Sequence, residues 1–484
     1  MPPTTRRRFL QAAGTSAAAA ALGPSAWAQR PTGPNVVVII VDTLRADHVY
    51  GAKAKTPNME ELIRAGLSFT RAYPEAMPTV PARNSIFSGR RMFPFRGWHD
   101  YEGLMDSPGW APLPDVGPTL TSALRRAGYW TGYVTDNPYF GHSAVYARFR
   151  ASFDLFQANG GQLGVVRRPS SISDETLRHW VHPTLRNSPA ILDRVRRFLA
   201  NGRYWTDDSR SFAARVFTGA ASALDTAAQR RPFALVVDTY EPHEPWTPPR
   251  RYIDLYDDPD YRDPEPSMPR YMAVRRWLNE RNDGPVLRRM RALYAGELTM
   301  TDHWLGVFLD RLYALGLERD TIIVLVGDHG IFLGEHGWTG KISIALHPAL
   351  IHVPLVIVDP QRRRAGRTSR YFASTHDVAP TLLAMTGVPA PKEMNGVDLS
   401  PLFAGARPRE RPYAYGGYAN SFYIRSDRWA LIADNRPRNF KLFDLERDKG
   451  EHRNLAERRP QLARELHREV VKRVHGRLPY YRNT

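Results

Sequence analysis

Two segments of this chain are continuous runs of Val, Ile and Leu that end in an acidic residue. Residues 35–41 run into Asp42, and residues 321–327 run into Asp328 and His329. Uninterrupted β-branched runs, without the alternation of a half-exposed strand, are typical of strands buried on both faces of a parallel sheet. The carboxyl ends of such strands form the edge at which α/β sheets bind their ligands. We therefore expect Asp42, Asp328 and His329 to converge.

Three further strand-like runs also end in an aspartate. They are residues 129–135, 233–237 and 353–358, which precede Asp136, Asp238 and Asp359. Asp is a common turn former after a strand, so we expect only a turn role for Asp136 and Asp359. Two carboxylates and an imidazole form the mixed oxygen and nitrogen ligand set that suits Mn, Zn, Mg or Ca. The sequence therefore predicts one divalent metal ion held by Asp42, Asp328 and His329.

Thr79 precedes a predicted helix. Pro81 fits the first position of this helix, Arg83 falls in its first turn, and Gly89 can end it. Thr79 would then lie at the positive end of the helix dipole. A hydroxyl there, bound to a metal that lowers its pKa, can act as a nucleophile, and Arg83 can hold it or the anion that it attacks. The alternative is that Thr79 only caps an ordinary helix.

In chain order, these segments resemble the sulfatases and their relatives in the alkaline phosphatase superfamily. The resemblance covers nearly all of the chain after residue 34 and rests on the order of several motifs. The matching segments are residues 41–47, 79–83 followed by 88–90, 241–245, 327–330, 333–337 with 340–341, 376–383, and 441–445 with 454–455. The second of these is similar to the Cys/Ser-x-Pro-x-Arg signature that carries the nucleophile of the family.

The resemblance implies an α/β fold in which helices flank a mixed, mainly parallel sheet, followed by a small antiparallel sheet with one helix. It also implies that His243 contacts the substrate and that Lys341 contacts the transferred group. His336, in a Gly-rich loop close to the metal ligands, is a further candidate. A two-metal arrangement, which would recruit Asp238, His243 and His376, remains an alternative to a single ion.

The chain departs from the sulfatase pattern at the nucleophile. Most sulfatases oxidise Cys or Ser to formylglycine, whereas this chain has Thr79 at that position and contains no Cys. Oxidation of a threonine would give a ketone, so no formylglycine is expected. Asp42-Thr43 replaces the usual double Asp, and Asp328-His329 replaces the frequent Asp-Asn, as in the phosphoryl branches of the superfamily. After Val134, residues 135–138 replace the Gly-Lys-Trp-His segment of the family, which removes one usual cationic contact to the anion.

The sequence therefore predicts a metal-dependent hydrolase that attacks a phosphodiester, phosphomonoester or phosphonate through Thr79. Its substrate would be a small molecule or an ester of a glycan or lipid. Arg83, Lys341 and His243 would stabilise charge, and one of the latter two would protonate the leaving group.

Two other functions are alternatives to this one. The first is hydrolysis of sulfuric esters, as in the arylsulfatases. The second, of another class, is a non-catalytic protein that binds anionic glycans in the same cleft. The intact metal ligands argue against the second, because paired buried charges need a metal to offset their desolvation.

Alternating strand and helix signals from about residue 34 to 400 predict one α/β catalytic domain. Residues 117–127 and 291–315 predict helices that connect parallel strands. Residues 159–231 contain no strand run and predict a helical insertion, with a helix at about 211–228, that serves as a lid or as packing. After residue 405, short aromatic segments and a final helix at about 461–475 predict a small C-terminal subdomain that extends to residue 484.

The first 28 residues have the features of a twin-arginine signal peptide. Residues 5–10 contain the arginines, residues 12–21 are rich in Ala, and residues 26–28 form an Ala-Trp-Ala cleavage site. The apolar stretch is too short to span a bilayer, and no longer one follows it. We therefore expect a bacterial protein that is periplasmic or secreted and has no integral membrane segment after cleavage.

The chain is strongly basic, with 67 Lys and Arg against 49 Asp and Glu. Removal of residues 1–28 takes away three arginines and no acids, so the net charge falls from +18 to +15. Such a charge can favour nucleic acid or anionic substrates. Only 7 of the basic residues are Lys, however, which is a bias typical of a GC-rich genome. Because no zinc-finger spacing, aromatic-basic stripe or Gly-rich phosphate loop is present, we predict no nucleic-acid partner.

Overall fold

The computed structural model describes five stretches of the chain, which form one compact unit. They are residues 32–113, 117–162, 168–202, 206–278 and 284–482. The predicted signal peptide at residues 1–28 lies outside the described residues and stays a prediction.

Most of the strands are short, and the longest belong to the apolar runs of the sequence. The strands are β1 Asn35–Val41, β2 Leu67–Phe69, β3 Ala72–Tyr73, β4 Ala76–Met77, β5 Trp130–Thr135, β6 Leu155–Ala158, β7 Phe233–Thr239, β8 Met272–Ala273, β9 Thr321–Gly327, β10 Phe332–Leu333, β11 Trp338–Gly340, β12 Leu355–Val358, β13 Arg367–Ser369, β14 Ala373–Ser374, β15 Ala414–Tyr418, β16 Ser421–Arg425, β17 Trp429–Asp434 and β18 Lys441–Asp444.

Helices occupy the connections between the strands. They are α1 Ala46–Val49, α2 Pro57–Ala65, α3 Thr79–Ser88, α4 Leu120–Arg126, α5 Pro138–His142, α6 Ala147–Ala151, α7 Asp174–Trp180, α8 Pro189–Gly202, α9 Phe212–Ala227, α10 Arg250–Ile253, α11 Pro285–Ala314, α12 Pro348–Ile351, α13 Val378–Thr386 and α14 Pro460–Arg473.

Eight strands form the central sheet, in the order β13-β2-β12-β9-β1-β7-β5-β6. The strands from β9 to β6 in this order are parallel to one another, whereas β12 runs antiparallel to both β9 and β2. The prediction of a mixed, mainly parallel sheet flanked by helices is therefore confirmed.

The two faces of this sheet explain the unbroken apolar runs. Every residue of β1 and of β9 is buried. Alternate residues of β1 pack on one side against α9 and α11, and the others pack on the opposite side against α3, α4 and α13. Both faces need apolar side chains, so the sequence shows no alternation.

The register of the central strands brings their carboxyl ends to one level. Val41 of β1 lies opposite Gly327 of β9, so Asp42 and Asp328 leave adjacent strands side by side. On the other side of β1, Asp238 lies near the end of the parallel strand β7. The acidic residues that follow the apolar runs therefore meet at one edge of the sheet.

The boundaries of two helices differ from the prediction. α3 begins at Thr79 rather than at Pro81, and Gly89 ends it in the left-handed conformation. Pro81 occupies the third position, where a backbone N–H also has no acceptor within the helix, so proline is tolerated there. α11 begins at Pro285, before the predicted start at residue 291, with Pro in its first position. The helix predicted at residues 211–228 corresponds to α9.

A five-stranded sheet near the C-terminus has the order β18-β17-β16-β15-β4. Its four C-terminal strands are antiparallel, and α14 packs against them, which confirms the predicted sheet and helix. The fifth strand, β4, comes from the early part of the chain and is parallel to β15, with Gly417 opposite Ala76 and Tyr418 opposite Met77. The C-terminal sheet therefore holds the residues that lead directly into α3.

No helix in the described stretches combines the length and the apolar character that crossing a membrane requires.

Candidate active site

Asp42, Asp328 and His329 form a buried group at the carboxyl ends of β1 and β9. One ligand atom from each lies within 4.8 Å of the others, and all three residues are buried. The Asp328 Oδ1 atom accepts hydrogen bonds from the backbone N–H groups of Thr43 and His329, at 3.0 and 2.7 Å. These bonds orient the carboxylate, and its other oxygen lies 3.5 Å from His329 Nε2.

The imidazole of His329 is neutral and its Nε2 atom faces the carboxylates. Its Nδ1 atom lies 2.9 Å from the carbonyl oxygen of Gly330, so Nδ1 carries the hydrogen and donates it. Burial lowers the pKa of His329 to about 4, against the opposing effect of Asp328. A neutral imidazole with a fixed tautomer, whose Nε2 atom carries no hydrogen, is the form that binds metals.

The carboxylate of Asp42 has the properties expected of a cation ligand. Its Oδ1 atom is buried and has no hydrogen-bond partner among the described residues. Burial and the adjacent Asp328 carboxylate raise the pKa of Asp42 well above its usual range. A divalent cation between the two carboxylates would satisfy this oxygen and remove the repulsion, so the residues present fit a metal ion.

Thr79 lies next to this group. Its Oγ1 atom is 3.4 Å from His329 Nε2, and its side chain does not cap α3. The capping alternative for Thr79 is therefore wrong. Thr79 occupies the first position of the helix, where free backbone N–H groups favour a negative charge.

Arg83 is completely buried and holds three carboxylates together. Its Nε and Nη2 atoms donate to Asp238 at 2.7 to 3.1 Å, and its Nη1 atom donates to Asp42 at 3.0 Å and to Asp328 at 2.6 Å. Tyr133 donates a further hydrogen bond to Asp238 at 2.6 Å. Arg83 thus positions the carboxylates, and a direct contact with substrate stays a prediction.

His243 and Lys341 meet on the other side of the site. Lys341 Nζ lies 3.0 Å from His243 Nε2 and 3.0 Å from the Glu244 carboxylate. His243 Nδ1 donates to the carbonyl oxygen of Glu244 at 2.7 Å, so Nε2 accepts from the lysine. Burial and the Lys341 charge hold the pKa of His243 well below its usual value. In this pair His243 is therefore the neutral acceptor.

Three residues of the site were missed in the sequence. Glu244 pairs with Lys341 and accepts a hydrogen bond from Tyr271, whose ring lies 5.2 Å from Lys341 Nζ. Arg194 extends from α8 of the insertion, and its charge helps to lower the pKa of His243 after burial and Lys341. Glu244 lies within the 241–245 motif and could have been inferred from it. Tyr271 and Arg194 stand in segments without a motif.

The remaining sequence candidates are not among the three possible metal ligands. Asp238 is occupied by Arg83, as described above. His336 stacks on His347 with their ring centroids 3.7 Å apart. His376 contacts Ser374 and Arg91 near the opposite end of α3. Among the described residues, only Asp42, Asp328 and His329 form a group of three or more possible ligands.

Asp136 and Asp359 have structural roles. Asp136 accepts a hydrogen bond from the backbone N–H of Tyr240 at 2.7 Å, and the Tyr240 ring stacks on His243. Asp359 accepts from the backbone of Gln361 in the turn after β12. The predicted turn role thus describes Asp359, while Asp136 supports a residue beside His243.

Comparison with known proteins identifies the same type of enzyme along most of the chain. Residues 34–388 match the family model described as sulfatase. Residues 334–478 match the model described as N-sulphoglucosamine sulphohydrolase, C-terminal.

Individual relatives cover nearly the whole chain. An arylsulfatase of Clostridium perfringens is 26% identical, and the match covers 92% of this chain and 95% of the relative. The multifunctional alkaline phosphatase superfamily protein PehA of Trinickia caryophylli is 27% identical and covers 88% and 91%. The fold is similar to the solved structure of phosphonate monoester hydrolase SpPMH from Silicibacter pomeroyi, with a TM-score of 0.68, 22% identity and coverage of 91% and 95%.

Proposed function

This chain belongs to the sulfatase family of ester hydrolases, and we propose that it cleaves a phosphodiester, phosphomonoester or phosphonate through a covalent intermediate on Thr79. The observation that carries the proposal is the position of Thr79 Oγ1, 3.4 Å from His329 Nε2 and beside the two carboxylates. The signature position holds a threonine, so the hydrated aldehyde of formylglycine sulfatases cannot form there.

The nearby serines do not compete with Thr79 for this role. Ser85 donates to the carbonyl oxygen of Ala82 at 2.8 Å, and Ser88 donates to that of Asn84 at 2.5 Å. Both hydroxyls are therefore engaged within α3. Only Thr79 of the three lies against the carboxylate and imidazole group.

Asp42, Asp328 and His329 would hold the metal ion. When bound by these three residues, a divalent cation would lower the pKa of a nearby hydroxyl and would polarise the substrate. Arg83 keeps the two carboxylates in place and limits their repulsion. The free N–H groups at the start of α3 stabilise negative charge on Thr79 and on the group that it attacks.

The proposed reaction has two steps, which form and then hydrolyse a covalent intermediate on Thr79. Thr79 attacks phosphorus as its alkoxide, the bond to the leaving oxygen breaks, and Lys341 gives its proton to that oxygen. The neutral Lys341 amine then takes a proton from water, and the resulting hydroxide releases the phosphoryl group from Thr79. His243 accepts a hydrogen bond from Lys341 and orients it throughout both steps.

Two variants test this mechanism. Thr79→Ala should keep its metal, measured by elemental analysis, and lose turnover by roughly a thousandfold or more, because the nucleophile is absent. Asp328→Asn should lose metal and turnover together. Mass spectrometry of the quenched wild-type enzyme should find one phosphoryl group on the peptide that contains Thr79. Retained turnover in Thr79→Ala would show that water or another side chain is the nucleophile.

Hydrolysis of sulfuric esters is the second candidate, because the family and one of the relatives above are named for it. A sulfated threonine has no geminal hydroxyl through which to expel sulfate, so its release would depend on slow attack by water. We therefore expect faster steady-state turnover on an aryl phosphodiester or phosphonate than on the sulfate with the same leaving group. A sulfate turned over ten times faster, a barrier difference of about 1.4 kcal/mol, would contradict the argument from Thr79.

We also propose that residues 1–28 direct export of the protein to the periplasm or beyond the cell. The supporting feature is the run of arginines at positions 6 to 8 before an Ala-rich stretch. Replacing these arginines with lysines should keep the protein inside the cell, as measured by fractionation. Unchanged export would contradict a twin-arginine signal.

A further inference from the structure

A cavity of about 1090 Å³ lies at the end of α3 opposite Thr79. It is bounded by the segment after α3, the loop that follows α13, the linker into the C-terminal sheet and the end of α14. Six arginines line it, and we name it the arginine cleft after them. They are Arg91, Arg96, Arg407, Arg409, Arg411 and Arg473.

This clustering exceeds what the arginine-rich composition explains. Arginine makes up 60 of the 484 residues of the chain, but 6 of the 20 residues that line the cleft. The lining contains only two acidic residues, Asp398 and Glu410. Asp398 accepts hydrogen bonds from the backbone and side chain of Ser400, which orient its carboxylate without neutralising it.

Three of the six arginines have carboxylate partners. Arg411 forms two hydrogen bonds with Asp377, at 2.6 and 2.7 Å, and the carboxylate of Glu469 accepts from Arg473 at 2.7 Å. Arg91 lies 3.6 Å from Glu75 and donates to the carbonyl oxygen of Tyr415. These guanidinium groups have structural roles in the walls of the cleft.

The other three arginines have no carboxylate partner among the described residues. Arg96 donates to the backbone carbonyl oxygen of Val474 at 2.7 Å, which orients its guanidinium without neutralising it. Arg407 and Arg409 are exposed, and they lie in the linker into the C-terminal sheet. The cleft therefore has three guanidinium groups without a carboxylate partner in the described stretches, against the two carboxylates of Asp398 and Glu410 in its lining, so the positive charge is in excess.

The pKa of a buried histidine in the cleft wall is affected by the charges of these arginines. His376 is only 1% exposed, and its Nε2 atom faces Arg91 Nη2 at 3.4 Å. Burial lowers its pKa well below the usual value, and the charges of Arg91, Arg411 and Arg409 lower it further. His376 therefore stays neutral and does not add to the charge of the cleft.

The arginine cleft is separate from the ester-cleaving site. α3 has ten residues, with Thr79 at its first position, and Arg91 follows its end. At about 1.5 Å per residue, the helix places the two sites about 15 Å apart. One phosphate or sulfate group cannot contact both.

We propose that the arginine cleft binds an organic polyanion that carries at least two phosphate or sulfate groups. Each free guanidinium can pair with one oxoanion through two parallel hydrogen bonds, and the free groups lie in two different segments of the lining. The volume far exceeds that of one oxoanion. Met394 and the ring of Tyr415 offer apolar surface for a carbon skeleton. This inference does not depend on the reaction proposed for Thr79.

Calorimetric titration of the whole protein tests the proposal. The probes are inositol hexakisphosphate and sucrose octasulfate, which distinguish organic phosphate from organic sulfate. The buffer contains about 0.15 M salt, where charges beyond about 8 Å are screened. Wild type should bind at least one probe, and inorganic phosphate should bind at least about tenfold more weakly than that probe. No binding of either probe, or equal binding of inorganic phosphate, would overturn the proposal.

A pair of charge-matched double variants locates the binding. Arg407→Gln with Arg409→Gln should weaken probe binding at least about tenfold. Arg464→Gln with Arg468→Gln removes the same charge from the exposed face of α14, outside the cleft, and should change the affinity less than about twofold. Equal losses in the two variants, or no loss in the first, would overturn the proposal. The first variant should keep wild-type turnover of a small aryl ester, and its loss would overturn the separation of the two sites.

Discussion

At the scale of single residues, Arg194 links the helical insertion to the reacting groups. Its Nε atom is buried and has no hydrogen-bond partner among the described residues. Burial affects the pKa of His243, Tyr139 and Tyr240 most, and the charge of Arg194 is a further cause of the shift in each. An unpaired buried donor beside an anion-cleaving site is suited to a substrate oxygen.

We therefore expect Arg194→Met to raise KM for an anionic ester by roughly tenfold or more, since a hydrogen bond to a charged group contributes about 1.5–3 kcal/mol. The value of kcat should change less than KM, because Arg194 neither forms a bond nor transfers a proton in the proposed reaction. The matched control is Arg197→Met on the same helix, where the arginine is half exposed and pairs with Asp193. Steady-state kinetics on one aryl phosphodiester decides the matter, and equal KM values for the two variants would contradict a substrate contact.

At the scale of elements, the pairing of β4 with β15 supports the start of α3. Gly417 donates its N–H to the carbonyl oxygen of Glu75 at 3.0 Å. A Cβ atom on the neighbouring Gly416 would lie 2.6 Å from that same oxygen, so only glycine allows the two backbones to approach. The position of Thr79 thus depends on a glycine in a distant segment.

Gly416→Ala should push β15 away from β4 and displace the residues that lead into Thr79. We expect a loss of about 1–3 kcal/mol in the free energy of unfolding, typical of an overpacked site, together with a lower kcat. Denaturant unfolding and steady-state kinetics measure the two effects. Gly160→Ala is the control, because a Cβ atom there meets nothing within 4 Å. Wild-type stability and kcat in Gly416→Ala would show that the close approach is dispensable.

At the scale of the whole molecule, the metal ligands couple ion binding to stability. The Asp42 and Asp328 carboxylates are fully buried and adjacent, and Arg83 offsets only part of their repulsion in the folded state without a metal ion. A metal that binds only the folded state should stabilise it by about 2.7 kcal/mol at a free concentration a hundred times Kd.

Chelation should therefore lower Tm, and adding back Mn, Zn, Mg or Ca should restore it for the ion that fits. Differential scanning calorimetry of wild type and of Asp328→Asn measures this effect. The variant lacks one ligand and should show no metal-dependent change in Tm. Wild-type protein is first shown to carry metal and is then treated with the chelator. If its Tm is the same before and after chelation, the result would contradict a metal site built from these carboxylates.

The central sheet and the residues at its edge were predictable from the sequence, because both depend on local patterns. Asp42 and Asp328-His329 follow long apolar strands, and the parallel register of those strands then brings them together. Thr79 was predictable because the signature around it has a fixed spacing. The start of α3 was not, since Pro81 is tolerated at more than one early helix position.

The remaining parts of the site depend on packing between segments that are distant in sequence. Strands of two or three residues, such as β4 and β11, are too short to show a period, although β4 leads into Thr79 and β11 into Lys341. Arg83 was predicted as an anion contact, but its three carboxylate partners come from three different strand ends. Arg194 lies on a helix whose placement over the sheet edge no local pattern specifies.

The pairing of β4 with β15 also has a consequence for biosynthesis. Translation proceeds from the N-terminus, so residues 76–77 are made well before their neighbours at residues 414–418. Until those residues are made, the segment before Thr79 lacks the strand that aligns it. Chains released early from the ribosome would contain every metal ligand and the nucleophile, yet they would not be assembled into a working hydrolase.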